Sequence, residues 1–471
     1  MHAPAADSRV SIIIAARNNG CYLAEALASA FSQTVPCEVI YADDASIDDS
    51  VDIARKWLPA GLVLLPADLH QGVCATRNRG AQIARGDLYV FLDGDDRLPP
   101  DFVARHLAAI TPDAPFVYGP AKAFGDGPQA RSFWSVPPWS DYDRWVCNTV
   151  NTSAMYARWA FAAAGGWSDR VPTMWDWDLA LRAARFGTPR ASTATLDYRQ
   201  HAASWSARIA EKDSARAHYL AIVRRRNARL AVGTILSGRL PELFREWLDA
   251  VAMSVRRVET SELPALVLLD HSRDPEYRRR VEQELSRYGD TFGLMRVVDH
   301  PVEFAWTTER DRRDQVATFL AGAYSRLARL LGSDVQWFIE DDVIVPLDAG
   351  ETLWQALTAG AQPPHGISGC YRNRHQPQRY VGGWWRNDRA EEPTVIAGND
   401  AEPLLPVDFV GTGCLMTWPS RTPAWTESHI RGIPAHDWAW SAAVKARRGS
   451  LFFHPQVRCV HVADEQTRLV G

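Results

Sequence analysis

The sequence predicts an α/β protein of two tandem domains, each built on a largely parallel sheet, joined by a helical connector. Short β-branched apolar runs alternate with stretches of helical spacing, the pattern of strand–helix–strand units around a parallel sheet. That alternation breaks off in an arginine-rich stretch and restarts near residue 261. An ordered set of chemical features also occurs twice along the chain.

The elements follow in order. Residues 9–16, RVSIIIAA, form an apolar run bounded by polar residues, as a buried parallel strand requires. CYLAEALASAFS (21–32) shows helical spacing, EVIYADD returns to strand, and Ser50 opens the helix SVDIARKWL. LVLLPAD is a strand, CATRNRGAQIARG a helix, and DLYVFLDGDD a strand whose acids emerge at its carboxyl end, where open α/β sheets bind ligands. Residues 207–260, with Arg208, Lys212, Arg216, Arg224, Arg225, Arg226, Arg229, Arg256 and Arg257, read as basic amphipathic helices. Their plain role is a solvated face, and contact with a membrane surface or polyanion is the alternative. LPALVLLD (263–270) restarts the strands, followed by the helix QVATFLAGAYSRLARLL and the strand DVQWFIEDDVIV. The expected domains are therefore 1–206 and 261–471, with 207–260 as connector.

At roughly 150 residues per domain, 471 residues accommodate this plan with room for two cores. No window approaches 18 uninterrupted apolar residues, and the N-terminus lacks a signal-peptide pattern, so a cytoplasmic protein without a transmembrane span is expected. The net charge of −4 supplies no global field for a polyanion. Seven cysteines without a CxxC pair argue against zinc sites and disulfide frameworks. Tryptophan is the outlier, with 19 copies. Trp134, Trp139, Trp175, Trp177, Trp384, Trp385, Trp438 and Trp440 fall beside the acidic features, where core packing is the first reading and stacking on sugars or bases the second.

The repeat runs as follows. The first copy has VFLDGDD (Asp93, Asp95, Asp96), MWDWDLALRAARFG (Asp176) and YRQH (His201). The second has WFIEDD (Glu340, Asp341, Asp342), AHDWAWSAAVKARRG (Asp437) and CVH (His461). From helix aspartate to histidine the step is 25 residues in one copy and 24 in the other. NTSAMYARW (151–159) parallels GTGCLMTW (411–418), a proline precedes each helix, and Gly187 and Gly449 follow as expected left-handed stops. The duplication is clear in the carboxyl halves and faint in the amino halves.

An acidic turn alone is usually a solvated loop, but its recurrence with a histidine points to a divalent cation. Oxygen-rich ligation with one imidazole suits Mg²⁺ or Mn²⁺. Asp176 between Trp175 and Trp177 is partly desolvated, which favours a general base over a mere helix cap, a role open also to Asp178. No GxGxxG, GxxxxGK[ST] or GxSxG is present, so dinucleotide, P-loop and serine-hydrolase chemistries lack their parts.

These motifs resemble the family 2 glycosyltransferases with a GT-A fold. SIIIAARNNGCYLAEALASAFSQT followed by EVIYADDASIDDS is similar to the family's opening strand, helix and DDxS turn. GVCATRNRG resembles its GxxxARNxG helix, LDGDD its DxD motif, GGWSDR its GGFDE turn, WDWDLALR its ED-type base motif and YRQH its closing histidine. The resemblance covers residues 9 to about 206. It implies that Asp93 and Asp95 hold Mn²⁺ or Mg²⁺ on the diphosphate of a nucleotide sugar, a UDP-sugar first among candidates, with His201 a further ligand or phosphate contact. It maps the nucleobase to Asp43 or Asp44 and Arg77, with Ala15 lining the end of the first strand. It makes Asp176 the base of an inverting, hexosyltransferase-like reaction. Here the usual ED is Trp175-Asp176. The second copy resembles the family through EDD, GTGCLMTW, HDWAW and CVH. Glu340, Asp342 and His461 would then hold the metal and Asp437 act as base, while LLDHSRD (Asp270, Asp274) is the nearest substitute for the DDxS turn.

The leading expectation is a tandem enzyme with two metal-dependent sites and one hydroxyl-bearing acceptor: a glycan, lipid-linked saccharide, protein or modified nucleobase. One active domain beside a pseudo-enzyme that binds acceptor or fixes an oligomer is the alternative. A nucleotide-sugar hydrolase or sugar-binding module is the third reading.

Overall fold

The computed structural model describes residues 10–127, 130–141, 143–201, 213–301, 308–373, 376–386, 389–391, 404–425, 429–430, 433–434, 436–464 and 466–470. The chain forms two compact units, Met1–Val223 and Arg224–Gly471. Among the described residues no helix is long and apolar enough to cross a membrane.

The first unit runs β1 (Val10–Ala16), α1 (Gly20–Phe31), β2 (Cys37–Asp43), α2 (Ser50–Arg55), β3 (Val63–Leu65), α3 (Val73–Ile83), β4 (Leu88–Asp93), α4 (Phe102–Leu107) and β5 (Phe116–Tyr118). It continues β6 (Ala121–Gly125), β7 (Phe133–Trp134), β8 (Met155–Ala157), α5 (Arg158–Ala163), α6 (Trp175–Ala183), β9 (Arg190–Ala191) and β10 (Leu196–Gln200). The main sheet has the order β3-β2-β1-β4-β8-β5-β9, and β10-β6-β7 form a smaller one. Strands β3, β2, β1 and β4 are parallel, and β8 runs against both β4 and β5. The unbroken apolar run of β1 is explained by cover on both faces. Ile12 and Ile14 pack with Leu23 and Leu27 of α1, while Ile13 packs with Phe91 and Phe161 on the other side. Each such fully buried side chain contributes about 1.5–3 kcal/mol.

The second unit has β11 (Leu230–Leu236), β12 (Ala265–Asp270), β13 (Leu294–Asp299), β14 (Val335–Ile339), β15 (Val343–Ile344), β16 (Gly366–Cys370), β17 (Gly382–Arg386), β18 (Arg389–Glu391), β19 (Leu405–Val407) and β20 (Phe409–Val410). After these come β21 (Cys414–Thr417), β22 (His429–Ile430), β23 (Ile433–Pro434), β24 (Leu451–Arg458), β25 (Val460–Val462) and β26 (Arg468–Val470). The sheet order is β13-β12-β11-β14-β21-β16-β24-β19. Its strands match the first sheet one for one, in order and in direction, from β3/β13 to β9/β24. The fold is thus α/β, and one sheet plan occurs twice.

Three expectations change. Residues 207–260 are not a helical connector: within them lies β11, the strand in the β1 position, hydrogen-bonded to β12 and β14. LAVGTIL was masked by the basic residues around it, and the second unit begins at Arg224, well before residue 261. Nor is Arg224 a solvated cation. It is buried and donates to the carbonyls of Thr358 (3.1 Å), Gly360 (2.5 Å) and Ala361 (3.0 Å), capping the helix Ala349–Thr358. Arg226 and Arg256 pair with Glu259 and Asp290, and Arg208 and Lys212 lie outside the described residues. Finally, Gly187 has extended backbone (φ 167°) and Arg448, not Gly449, takes the left-handed position (φ 60°). These glycines serve close approach: a Cβ on Gly449 would stand 2.5 Å from Val444 Cγ1.

Candidate active sites

The register of the first sheet gathers its site. Ala15 lies opposite Asp93 and Ala16 opposite Asp43, so the ends of β1, β2 and β4 reach one edge together. Beyond β4 the chain turns through Gly94, where a Cβ would stand 2.6 Å from Ala16 Cβ. Only glycine fits between Asp93 and Asp95.

Asp93 Oδ1 accepts a 2.5 Å bond from Arg77 Nη2, and that buried guanidinium lies 4.3 Å over the Trp167 ring. Asp95 Oδ2 is 3.0 Å from His201 Nε2. Asp96 is buried and accepts from the Arg199 N–H at 2.7 Å. Burial and the Asp93 charge raise Asp95; burial and both neighbouring acids push Asp96 well above the usual carboxylate range. The turn therefore concentrates more negative charge than its own residues neutralise. Its oxygen and imidazole donors fit a hard divalent cation.

On the β2 side, Asp43 accepts from Tyr41 Oη (3.0 Å) and the Ser46 N–H (2.9 Å). Asp44 accepts from the N–H groups of Gln71 (2.7 Å) and Gly72 (3.0 Å) and lies 2.7 Å from His70 Nδ1. Burial opposes its charge, but these bonds hold it below the ordinary value. The two acids shape the turn itself. Arg77 is not with them but beneath Asp93, and the partner of Asp44 is His70, which no motif singled out.

Asp176 opens α6 after Met174, a left-handed residue (φ 57°) that aims the helix start at the site. Its Oδ1 accepts from the Trp177 N–H at 2.8 Å and from Asn148 Nδ2 at 3.0 Å. Burial pushes this carboxyl up to about 6, with Arg77 pulling down and Asp93 pushing up. Asp178 is no cap: it is buried between Arg170 and Arg182, at 3.1 and 2.6 Å. Trp177 and Trp440 are core residues, whereas Trp134 is 38% exposed. The side chains of Trp384 and Trp385 lie outside the described residues.

Strand register fixes the correspondence of the second site. In the first sheet Val39, Ile12, Val90 and Met155 stand in one row; in the second the row is Leu266, Val232, Trp337 and Met416. Counting along the strands, Asp93 corresponds to Glu340, Asp95 to Asp342 and Asp43 to Asp270. The helices align by an exchange of bulk. A Cβ on Gly80 of α3 would stand 2.5 Å from Ile13 Cγ2, whereas Gly233, at the Ile13 position, makes room for Leu327, whose Cγ is 3.0 Å from where its Cβ would be. Gly80 thus corresponds to Leu327, and three residues earlier Arg77 corresponds to Tyr324.

The second site differs accordingly. Tyr324 is buried, and burial together with the Glu340 charge raises its hydroxyl well above the ordinary value. Glu340 Oε1 accepts from Thr412 Oγ1 at 2.7 Å. Asp341 accepts from the Ser237 N–H and Oγ at 2.7 and 2.8 Å, and burial pushes it up to about 7. Asp342 Oδ2 accepts from Arg239 Nη2 at 2.5 Å.

His461 Nδ1 faces the Arg372 carbonyl at 2.7 Å, while its buried Nε2 has Asp342 Oδ2 at 3.4 Å and no good hydrogen-bond partner. Glu340, Asp342 and His461 bring ligand atoms within 4.8 Å of one another, as no other trio of His, Cys, Asp or Glu does among the described residues. An imidazole nitrogen left over beside two carboxylates fits a divalent cation. Asp437 repeats Asp176: its Oδ1 accepts from the Trp438 N–H at 2.9 Å and burial pushes it up to about 6. Among the described residues no side chain donates to Asp437 as Asn148 does to Asp176.

The two histidines arrive by different routes. Arg97 bridges Asp197 in the first unit, and Ile344, at the Arg97 position, pairs with Val460 in the second. By that register His461 stands at the place of Tyr198, three residues before His201, yet both imidazoles reach the second acid.

The family model of glycosyl transferase family 2 matches residues 11–159, inside the first unit. Uncharacterized glycosyltransferase YwdF of Bacillus subtilis is 28% identical over 201 residues, which is 40% of this chain and 74% of that protein. A PGL/p-HBAD biosynthesis glycosyltransferase of Mycobacterium bovis is 31% identical over 181 residues, 36% of this chain and 68% of that protein. Among solved structures, S. aureus TarS 1-349 aligns at 17% identity and TM-score 0.35 over 46% of this chain and 64% of its own. Mannosyltransferase PcManGT of Pyrobaculum calidifontis aligns at 21% and 0.35 over 47% and 64%. The chain thus spans less than two thirds of each of these solved structures and more than two thirds of the two relatives. By that relationship, carried in its first unit, the chain belongs to the family 2 glycosyltransferases.

Proposed function

We propose that both units transfer a sugar, of hexose type, from a nucleotide-diphosphate donor to an acceptor hydroxyl, with inversion at the anomeric carbon. The donor proposed first is a UDP-sugar, and the acceptor a glycan, lipid-linked saccharide, protein or modified nucleobase. Asp93, Asp95 and His201 would hold Mn²⁺ or Mg²⁺ in the first unit; Glu340, Asp342 and His461 would do so in the second. A cation bound there supplies positive charge against the departing diphosphate. The chain's own groups do the rest. With Oδ1 engaged by Trp177 and Asn148, Asp176 keeps Oδ2 for the acceptor proton. As that proton moves to Asp176, the acceptor oxygen bonds to the anomeric carbon and the bond from that carbon to the diphosphate oxygen breaks. Ala15, Asp43 and Asp44 line the nucleobase side, and Arg77 sets the charge at Asp93. Asp437 takes the base role in the second unit.

The observation that supports two sites is the row-by-row register that sets Glu340 and Asp342 where Asp93 and Asp95 stand. A specific observation favours a second reading, in which the second unit is a pseudo-enzyme: Tyr324 replaces the Arg77 cation, and Arg239 already occupies Asp342. The test is pairwise. Asp95→Ala and Asp342→Ala are each expected to abolish a different transfer step when nucleotide sugars are screened with Mn²⁺. Loss of one and the same step in both variants defeats the two-site reading.

A further inference from the structure

One residue of the first unit bonds both Asp95 and Asp96 of the metal turn without being a candidate ligand. The Arg199 N–H donates to Asp96 Oδ1 at 2.7 Å, and its Nε donates to the Asp95 carbonyl at 2.7 Å. Its Nη2 donates to Glu25 Oε2 at 2.8 Å, a carboxyl that Arg97 also reaches at 3.2 Å. That pairing holds Glu25 below its ordinary value. The guanidinium carbon lies 4.4 Å from the Phe124 ring centre and 4.6 Å from that of Tyr22. Tyr22 in turn lies 5.1 Å from the His201 ring. A continuous series of ring and cation contacts therefore runs from Arg97 through Phe124, Arg199 and Tyr22 to His201, and His201 faces Asp95.

We propose that Arg199 is a positioning residue of the first site, fixing the Asp95 turn through the Asp95 carbonyl and the His201 ring through Tyr22. The planar guanidinium is needed because it bonds a carbonyl and a carboxylate in its plane while its faces carry aromatic rings. Lysine supplies only a point charge. Three groups are pinned at once: the Asp95 backbone by Nε, the Asp96 side chain by the main chain, and the imidazole by contact with the tilted Tyr22 ring. Left alone, the crowded acids repel one another and the turn opens, so the site would be ready for a cation only with the clamp in place. In the second unit, by the strand register, the place of Arg199 falls to Val462, which carries no cation, and Arg239 binds Asp342 directly. The inference rests on the metal reading of the first site.

The experiment measures Mn²⁺ binding by electron paramagnetic resonance on the full chain carrying Asp342→Asn, so that only the first site reports. Arg199→Gln and Tyr22→Leu are each expected to raise the Mn²⁺ Kd and the donor KM about tenfold, as loss of groups that orient metal ligands does. The acceptor KM is expected to stay at its parent value. Arg199→Lys should fall between, and Tyr22→Phe, which keeps the ring, should match the parent. A Kd within twofold of the parent in Arg199→Gln and Tyr22→Leu overturns the proposal. So does an equal rise in donor and acceptor KM with a lowered Tm, the mark of a merely structural role. If the parent itself binds no Mn²⁺, the metal reading falls and takes this inference with it; a parent that binds beside unchanged variants defeats the inference alone.

Discussion

The two units share a sheet plan but distribute charge differently around the same two acids. In the first, a buried arginine sits beneath Asp93 and the second acid is left to His201. In the second, a tyrosine replaces that arginine, Glu340 is left with a hydroxyl donor, and Arg239 reaches Asp342 from the loop after β11. The unit that departs further from the family's motifs nonetheless gathers the tighter trio of ligand atoms. Resemblance of sequence and readiness of a site are therefore separate properties. The first follows motif order along the chain; the second follows which carboxylate already has a cation.

The largest effect expected to test this comparison is loss of the base. Asp176→Asn and Asp437→Asn remove the proton acceptor while keeping the N–H bond to Oδ1, and each should lower its own transfer rate about 10²–10⁴-fold. The other transfer should persist at its full rate. Both carboxyls are pushed up to about 6 by burial, so in the parent protein each rate should fall as pH drops below about 6, where the base takes its proton. If Asp437→Asn leaves every measurable transfer intact, the second unit is the pseudo-enzyme.

Next in size is the cation under the first acid. Arg77→Leu leaves the half-buried Asp93 without its buried partner, and breaking a fully buried pair costs about 3–5 kcal/mol, the upper bound here. Tyr324→Phe removes only a hydroxyl at the corresponding place, at about 0.5–1.5 kcal/mol. Chemical denaturation should show a large loss in one variant and a small one in the other. Equal losses would mean that Arg77 and Tyr324 are not equivalent positions.

Much of this was legible in the sequence, for identifiable reasons. Uninterrupted apolar runs such as SIII mark strands covered on both faces, and DGD marks a turn so close to Ala16 that only glycine fits. β11 is hard to read in the sequence because LAVGTIL is short and follows RRRNAR, whose charge dominates the local composition; Arg224 in fact caps a helix distant in sequence. The steps of 25 and 24 residues to the histidines suggest a shared role, but the sheet register sets their positions three residues apart, and only pairing across strands reveals it. The partners of Asp44, Asp176 and Asp95, namely His70, Asn148 and Arg199, come from segments 26, 28 and 104 residues away. No local pattern announces such contacts.

The smallest effect is the most discriminating. Asn148 donates to Asp176 Oδ1, a bond that stabilises the ionised carboxylate, and among the described residues Asp437 has only N–H groups of its own helix in that role. Removing a donor to the charged form raises the carboxyl's proton affinity, so Asn148→Ala should move the acid limb of the first transfer to higher pH. A hydrogen bond of about 0.5–1.5 kcal/mol corresponds to a displacement of about 0.4–1 pH unit. The profile of the second transfer should not move. Asn148→Asp, which sets a negative charge beside the base, should move the first limb further in the same direction. Two pH profiles recorded side by side, one as internal control for the other, then decide whether Asp176 is the group whose ionisation the first reaction needs. A limb that stays at its parental pH in both variants excludes it.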